Sequence, residues 1–167
     1  LNIMELENKF SLETFDPSVL REYDIRGIVD KDLTENTAYT IGRTFGHVVC
    51  RKYKKKNVVV GYDGRLTSVK LNKALCSGLI ESGANVLSLG IGPTPMTYFA
   101  HYFLESDAAI MVTGSHNPSE YNGFKLVLNK HSFYAENIKN LQKLSQDSNI
   151  SIGKGDFKKI NLLEDYF

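Results

Sequence analysis

The residues whose types and order could do chemistry are those of the segment Thr113-Gly-Ser-His-Asn-Pro118. They follow the apolar run Ala108–Val112 and precede Tyr121-Asn-Gly-Phe-Lys125, which places Ser115 in a loop after a buried strand. A serine hydroxyl at such a place is a candidate phosphoryl carrier. The plainer interpretation is a turn serine. Gly114 and Pro118 are compatible with either interpretation, because glycine permits unusual backbone conformations and proline fixes the exit of a loop.

Three further polar, glycine-bearing segments are expected near the same edge of a sheet. They are Tyr23-Asp-Ile-Arg-Gly27, Tyr62-Asp-Gly-Arg65 and Gly90-Ile-Gly-Pro-Thr-Pro95. In open α/β sheets, ligands bind at the carboxyl ends of the parallel strands. We therefore expect several side chains to converge on one anionic ligand, and a phosphosugar fits this charge pattern. These side chains are Arg26, Arg65, Ser115, His116 and Lys125.

Each of these residues also has an ordinary structural interpretation. His116 could transfer a proton or donate hydrogen bonds, or it could be a polar loop residue. Lys125 could discourage aggregation of an edge strand, and Arg26 and Arg65 could form ion pairs. A serine hydrolase is the weaker reading of Ser115, since no G-x-S-x-G elbow occurs and no triad partner can be assigned from spacing.

Composition indicates one globular domain. The chain has 167 residues, is 42% hydrophobic and 23% charged, and carries a net charge of +1. We therefore expect no nucleic-acid partner and no membrane partner. The one basic run, Arg51–Lys56, reads as a solvated helix end. Cys50 and Cys76 lack metal-ligand spacing, and no signal-like segment is visible, which predicts a cytoplasmic protein.

Alternating periods predict the elements that position these residues. Short β-branched runs predict strands at 57–61, 85–89, 108–112 and 122–128. Only nine residues separate the last two, too few for a crossover helix, so the fourth strand should run antiparallel at an edge. The expected fold is a three-layer α/β/α domain with a mixed, mostly parallel four-stranded sheet and an antiparallel edge strand.

Four helices complete this pattern. Thr34 should cap the first, Thr67 or Ser68 the second, and Gly83 should end the second. The third should begin near Pro95 and bury the stripe Met96, Phe99, Ala100 and Phe103, while the last should bury Ile138, Leu141 and Leu144. We divide the chain into an N-terminal arm (1–20), a main domain (21–147) and a linker toward a second domain (148–167).

Together, four motifs resemble the N-terminal domain of the α-D-phosphohexomutases, which interconvert sugar 1-phosphates and 6-phosphates. Besides the Thr113–Pro118 hexapeptide, they are Tyr-Asp-Ile-Arg-Gly, Gly-Tyr-Asp-Gly-Arg and Asn-Gly-Phe-Lys, in family order and with Gly-Pro-Thr-Pro between them. The Thr-Gly-Ser form is most similar to the bacterial phosphomannomutase/phosphoglucomutase branch.

The resemblance implies a role for each matching residue. Ser115 would carry the phosphoryl group and, through its phosphate, contact Mg²⁺; a hexose 1,6-bisphosphate would act as activator. Arg26 and Lys125 would join in catalysis by proton transfer or by stabilising the transferred charge, and His116 would join in it by holding the phosphoserine or the sugar. Asp63 and Arg65 would brace the loop. The residues that would contact the sugar phosphate are Tyr23, Asn117, Thr113 and Gly114.

The sequence also departs from the family pattern. In the family, the other Mg²⁺ ligands come from an Asp-Gly-Asp-x-Asp-Arg loop in a second domain, which this sequence lacks. We therefore expect an expressed domain, a cleavage product or a truncated gene product that is inactive without the remaining mutase domains. The alternative is a non-catalytic module that binds a phosphosugar or a protein partner and keeps the fold.

Overall fold

The computed structural model describes residues 10–167, so the predicted arm at residues 1–20 lies partly outside the described residues. A single 3₁₀ turn at Pro17–Val19 precedes the first strand. The strands are β1 (Ile25–Ile28), β2 (Asn57–Tyr62), β3 (Asn85–Ile91), β4 (Ala108–Val112), β5 (Tyr121–Leu128), β6 (His131–Ser132) and β7 (Phe157–Lys159). The helices are α1 (Glu35–Lys52), α2 (Leu66–Ser82), α3 (Thr94–Phe103), α4 (Glu136–Ser145) and α5 (Leu162–Asp165).

The sheet is mixed and mostly parallel, as predicted, but it has seven strands rather than four. The order is β1-β5-β4-β2-β3-β7, with β6 paired to β5. Strand β5 runs antiparallel to β4, as expected from the short connection. The prediction that β5 lies at the edge is wrong, because β1 pairs with it antiparallel and takes the edge position. The Tyr23–Gly27 motif therefore reaches into a strand.

Alternating side chains of the central strands separate two layers of helices. Val58 and Val60 belong to the larger core, which also contains the buried faces of α1, α2 and α4. Val59 belongs to a smaller core with Ala100 of α3 and Leu162 of α5. This is the expected three-layer arrangement.

Two of the three predicted termini of α1 and α2 follow the expected local chemistry. Thr34 caps α1 in a capping box with Thr37, and Gly83 ends α2 in the left-handed region at φ 102°. The expected cap of α2 at Thr67 or Ser68 is wrong, because the N-cap is Arg65 and its side chain does not cap the helix. The hydroxyl of Ser68 donates instead to Asp63.

Helix α3 turns a different face to the core than predicted. Met96, Phe99 and Phe103 are exposed by 38%, 48% and 43%, so the predicted stripe is buried only at Ala100. The other buried residues of α3 are Thr97 and His101. Phe99 and Phe103 stack on one another, with ring centroids 5.5 Å apart.

The end of the chain adds to the sheet. Within 148–167, predicted as a linker, β7 pairs in parallel with β3. A further short helix, α5, follows β7 within the same segment. The division into domains stays a prediction. Among residues 10–167, none of the helices has the length and hydropathy that crossing a bilayer requires.

We predict that Gly78→Ala destabilises the protein, although alanine in a helix interior normally stabilises by about 0.5–1 kcal/mol. A Cβ at Gly78 would lie 2.1 Å from the carbonyl oxygen of Tyr39, where α2 crosses α1. Backbone cannot rotate away as a side chain can, so we expect a loss of about 1–3 kcal/mol in the free energy of unfolding, measured in urea.

Gly64→Ala is the matched control, because a Cβ there meets nothing within 4 Å. We expect its free energy of unfolding to stay within about 0.5 kcal/mol of the wild type. A Gly78→Ala protein as stable as the wild type would mean that the two helices can separate at no cost.

Candidate active site

The serine loop leaves the carboxyl end of β4 with its first residues buried and its tip exposed. Thr113 and Gly114 are buried, whereas Ser115 and His116 are exposed. Ser115 has φ 52°, a left-handed conformation that costs a non-glycine residue about 1–2 kcal/mol. Its amide donates to Thr113 Oγ1 over 2.9 Å, and the Asn117 amide donates to the Gly114 carbonyl over 3.0 Å. The loop thus places the Ser115 side chain at a solvent-facing tip.

The guanidinium of Arg65 holds this loop by donating hydrogen bonds to backbone carbonyls of the loop. Nη1 donates to the carbonyl oxygens of Pro118 and Tyr121 over 2.7 and 3.0 Å. Nη2 donates to those of Asn117 and Ser115 over 2.6 and 3.2 Å. A planar group with a fixed fork of donors suits such a set of acceptors, and a lysine would not.

Gly114 is required because Arg65 comes so close. A Cβ at Gly114 would lie 2.2 Å from Arg65 Cζ and 2.3 Å from Nε. Sequence reasoning attributed to this glycine an unusual backbone conformation, but the positive φ belongs to Ser115. The absence of a side chain at residue 114 instead makes room for the guanidinium.

Asp63 ties the start of α2 to the same loop. Its Oδ2 accepts from the Gly114 amide over 3.0 Å, and its Oδ1 accepts from the Arg65 amide over 3.1 Å and from the Ser68 hydroxyl. Burial alone would raise the pKa of Asp63, but these hydrogen bonds outweigh it and bring the pKa below its ordinary value. Asp63 is therefore held as a carboxylate.

A buried asparagine, which sequence reasoning missed, connects β5 to the same place. The side-chain amide of Asn122 donates to Thr67 Oγ1 and to Ser68 Oγ, both over 2.9 Å. Asn122 is fully buried. A polar residue in a strand predicted to be buried was the available signal, since a buried amide needs partners.

A cleft of about 520 Å³ opens beside the loop and contains three of the predicted site residues. Arg26 and Lys125 lie on the paired strands β1 and β5, and Tyr23 precedes β1. Tyr23 is 73% exposed and stacks on Tyr134, with centroids 6.2 Å apart. The lining residues are Arg21, Glu22, Tyr23, Asp24, Arg26, Tyr98, Lys125, Leu126 and Ser132. Arg21 and Tyr98 are further lining residues that sequence reasoning missed, and no motif marked Tyr98.

Arg26 joins the cleft to the serine loop. Its Nη1 donates to Asn117 Oδ1 over 3.4 Å, and its Nη2 lies 3.6 Å from Asp24 Oδ1. Its Nε is buried and has no hydrogen-bond partner among the described residues. A buried donor without a partner is uncommon, and a bound anion would satisfy it. The geometry thus brings Tyr23, Arg26 and Lys125 together, with Ser115 and His116 exposed on the neighbouring loop.

Comparisons with known proteins agree on one family. A family model described as "Phosphoglucomutase/phosphomannomutase, alpha/beta/alpha domain I" matches residues 18–148. A phosphomannomutase/phosphoglucomutase of Pseudomonas aeruginosa is 40% identical over 154 residues, which are 92% of this chain and 33% of that protein. A phosphomannomutase of Klebsiella pneumoniae is 38% identical over 87% of this chain and 94% of its own length.

A solved structure gives the same result in three dimensions. A phosphoglucomutase/phosphomannomutase family protein from Burkholderia thailandensis superimposes with a TM-score of 0.83 at 38% identity. The match covers 91% of this chain and 35% of that one. The chain thus spans about a third of the Pseudomonas and Burkholderia proteins.

We predict that Arg65→Lys loosens the serine loop although it keeps the charge. The ammonium cannot reproduce the four carbonyl contacts of the guanidinium. The amides of Gly114, Ser115 and Asn117 should exchange hydrogen about tenfold faster or more, which corresponds to the loss of roughly 1.4 kcal/mol.

Hydrogen exchange followed by NMR measures this effect. Arg21→Lys is the control, since the Nε of Arg21 bonds only locally, to the Ser18 carbonyl over 2.7 Å. Unchanged protection of the loop in Arg65→Lys would show that the carbonyl contacts do not order it.

We predict a pH-dependent stability difference between the wild type and Asp63→Asn. The pKa of Asp63 is depressed in the folded state, so its carboxylate stabilises the fold above the ordinary carboxyl pKa. That contribution is lost as the pH falls through the lower, folded-state pKa. At pH ~7 the variant should lose about 1–3 kcal/mol, and the difference should shrink below pH ~4.

Urea unfolding between neutral and acidic pH tests this, with the exposed Glu164→Gln as control. A difference between wild type and Asp63→Asn that stays constant across this range would show that ionisation of Asp63 does not stabilise the loop.

Proposed function

Because this chain belongs to the phosphoglucomutase/phosphomannomutase family and corresponds to its α/β/α domain I, we propose that it is the phosphoserine-bearing domain of a phosphohexomutase. The observation that carries the proposal is the exposed Ser115 at a braced loop tip beside a cleft lined by Arg26 and Lys125. The relatives are mutases by name. The activity of a whole enzyme and its hexose phosphate substrate belong to the proposal.

The proposed reaction consists of two phosphoryl transfers, the first from Ser115 to the sugar and the second from the sugar back to Ser115. A hydroxyl oxygen of a hexose monophosphate attacks the phosphorus of phosphorylated Ser115. The bond from phosphorus to Ser115 Oγ breaks, the hydroxyl proton passes to Ser115 Oγ, and a hexose 1,6-bisphosphate forms. After the sugar reorients, Ser115 Oγ attacks the other phosphorus. The bond from that phosphorus to its sugar oxygen breaks, and this oxygen takes the proton that Ser115 Oγ gives up. The isomeric monophosphate leaves, and the phosphoserine is restored.

The cleft residues would supply charge and position rather than covalent chemistry, which suits phosphoryl transfer. Arg26 would hold a phosphate, since one of its buried N–H groups lacks a partner among residues 10–167. It is a poor free base because the pKa of arginine exceeds about 12, so we assign it electrostatic stabilisation. Lys125 would act beside it, Tyr23 would pack on the sugar, and His116 would bond the phosphoserine or the sugar.

Thr113, Gly114 and Asn117 remain predicted contacts of the sugar phosphate. The first two are buried at the start of the loop, and their amides donate to the Gly123 carbonyl and to Asp63. Asn117 is better placed, because Arg26 already donates to its side chain. Asp63 and Arg65 would keep the loop in one conformation before and after transfer, which is the part of catalysis that comes from positioning.

The residues described here fit Mg²⁺ only in part. Among residues 10–167, no group of three His, Cys, Asp or Glu side chains could hold a metal ion. A phosphate on Ser115 would provide one oxygen ligand, and the others would come from outside these residues. When bound, Mg²⁺ would withdraw charge from the phosphoryl oxygens.

The test is the intact mass of the chain before and after incubation with glucose 1,6-bisphosphate and Mg²⁺. We expect a gain of one phosphoryl group on the wild type and none on Ser115→Ala. Arg26→Gln should slow the gain by about tenfold or more, the cost of a lost charged hydrogen bond. Ser119→Ala is the matched control, an exposed serine of the same loop that should leave phosphorylation unchanged.

The alternative is a phosphosugar-binding module without chemistry. It predicts that glucose 1-phosphate binds the wild type and Ser115→Ala equally, with no gain in mass even when the rest of a relative is supplied. Phosphorylation on any residue other than Ser115 would contradict the proposal.

A further inference from the structure

A second cleft lies at the opposite end of the sheet from the serine loop. It has a volume of about 440 Å³ and lies between the carboxyl end of α1 and the length of α4. Helix α1 ends at Lys52, just before β2 begins at Asn57, so this cleft belongs to the amino-terminal edge of the parallel strands. The lining residues are His47, Val48, Arg51, Lys52, Phe133, Asn137, Asn140, Lys143 and Leu144.

The lining contains cations and amides but no carboxylate. Arg51 and Lys52 begin the basic run that sequence reasoning interpreted as a solvated helix end, and Lys143 faces them from α4. Within the described part of the chain, none of these three cations forms an ion pair. Three cations without ion-pair partners around one concave surface create a positive potential that would stabilise a bound anion.

His47 adds a hydrogen-bond donor to this lining. The backbone amide of Ser151 can only donate, and it donates to His47 Nδ1 over 2.9 Å. The neutral imidazole therefore carries its proton on Nε2. Burial, together with the nearby Arg51, lowers the pKa of His47 and favours this neutral form.

Negative charge near the cleft does not cancel its cations. The carboxyl ends of the two helices contribute roughly half a negative charge each. The neighbouring carboxylate, Asp147, is not part of the lining, and it accepts from the Asn149 amide over 2.8 Å. Lys52, Arg51 and Lys143 together exceed these charges, so the cleft remains positive.

The floor of the cleft is apolar. Phe133 is 5% exposed and packs edge-to-face on Phe45, while Val48 and Leu144 are half-buried against the same core. A cleft of this size is within the range of about 300–1,000 Å³ typical of small-molecule sites. A ligand that consisted of an anionic group alone would leave these apolar side chains exposed to water.

We propose that this cleft binds a small organic anion, in which a phosphate or carboxylate contacts Arg51 and Lys143 and a flat apolar ring covers Phe133 and Leu144. The site is separate from the serine loop, so its occupation does not depend on the proposed mutase function. A ligand here would contact both α1 and α4, two helices that pack against each other.

Isothermal titration with three probes tests the proposal: adenosine 5′-monophosphate, which combines charge and ring, inorganic phosphate and adenosine. We expect the nucleotide to bind at least about tenfold more tightly than either part alone. The double variant Arg51→Gln/Lys143→Gln should weaken its affinity about tenfold or more. Lys55→Gln/Lys139→Gln is the control, with the same change in net charge but no residue in the cleft.

NMR shift mapping with the nucleotide locates the site. Shifts should cluster at His47, Phe133 and Asn140, and Arg26→Gln should keep them. Absence of nucleotide binding up to millimolar concentration would overturn the proposal. So would equal binding by both double variants, phosphate binding as tight as nucleotide binding, or shifts confined to the loop around Ser115.

Discussion

The candidate site depends on one interaction, the contact of the Arg65 guanidinium with the backbone carbonyls of the serine loop. Residues 113–120 belong to no helix or strand, so their carbonyl groups need donors from elsewhere. From one planar group, Arg65 supplies donors to three of them, those of Ser115, Asn117 and Pro118, and to the carbonyl of Tyr121 at the start of β5. The left-handed conformation of Ser115 can persist because the surrounding contacts fix the loop on both sides of it.

The sheet topology places the cationic side chains. Strand β5 lies between β4 and β1 and runs antiparallel to both. Ile25 is opposite Phe124, and both point into the larger core. Arg26 and Lys125, each one residue further along its strand, therefore point to the opposite face. The short β4–β5 connection that carries Ser115 thus also fixes the strand that carries Lys125.

Sequence patterns predicted the elements that are determined locally. The bounds of β4 follow from one apolar run, and the start of α1 follows from a hydroxyl cap. Strands β1 and β7 were missed because they have four and three residues, and their pairing depends on partners distant in sequence. In α3, two rotated stripes satisfy the same helical spacing, and tertiary packing selected the one with Thr97, Ala100 and His101.

The grouping of site residues was predictable to the level of a shared edge, but their individual partners were not. Arg26, Arg65 and Lys125 look alike as cations in the sequence, yet their environments differ. The charge of Arg65 lies beside Asp63, with Nε 3.7 Å from Oδ2, and both of its Nη atoms donate to backbone carbonyls. Arg26 keeps a buried N–H without a partner among the described residues. The physical difference between Arg65 and Arg26 is therefore which N–H groups the protein satisfies, and the sequence does not specify this.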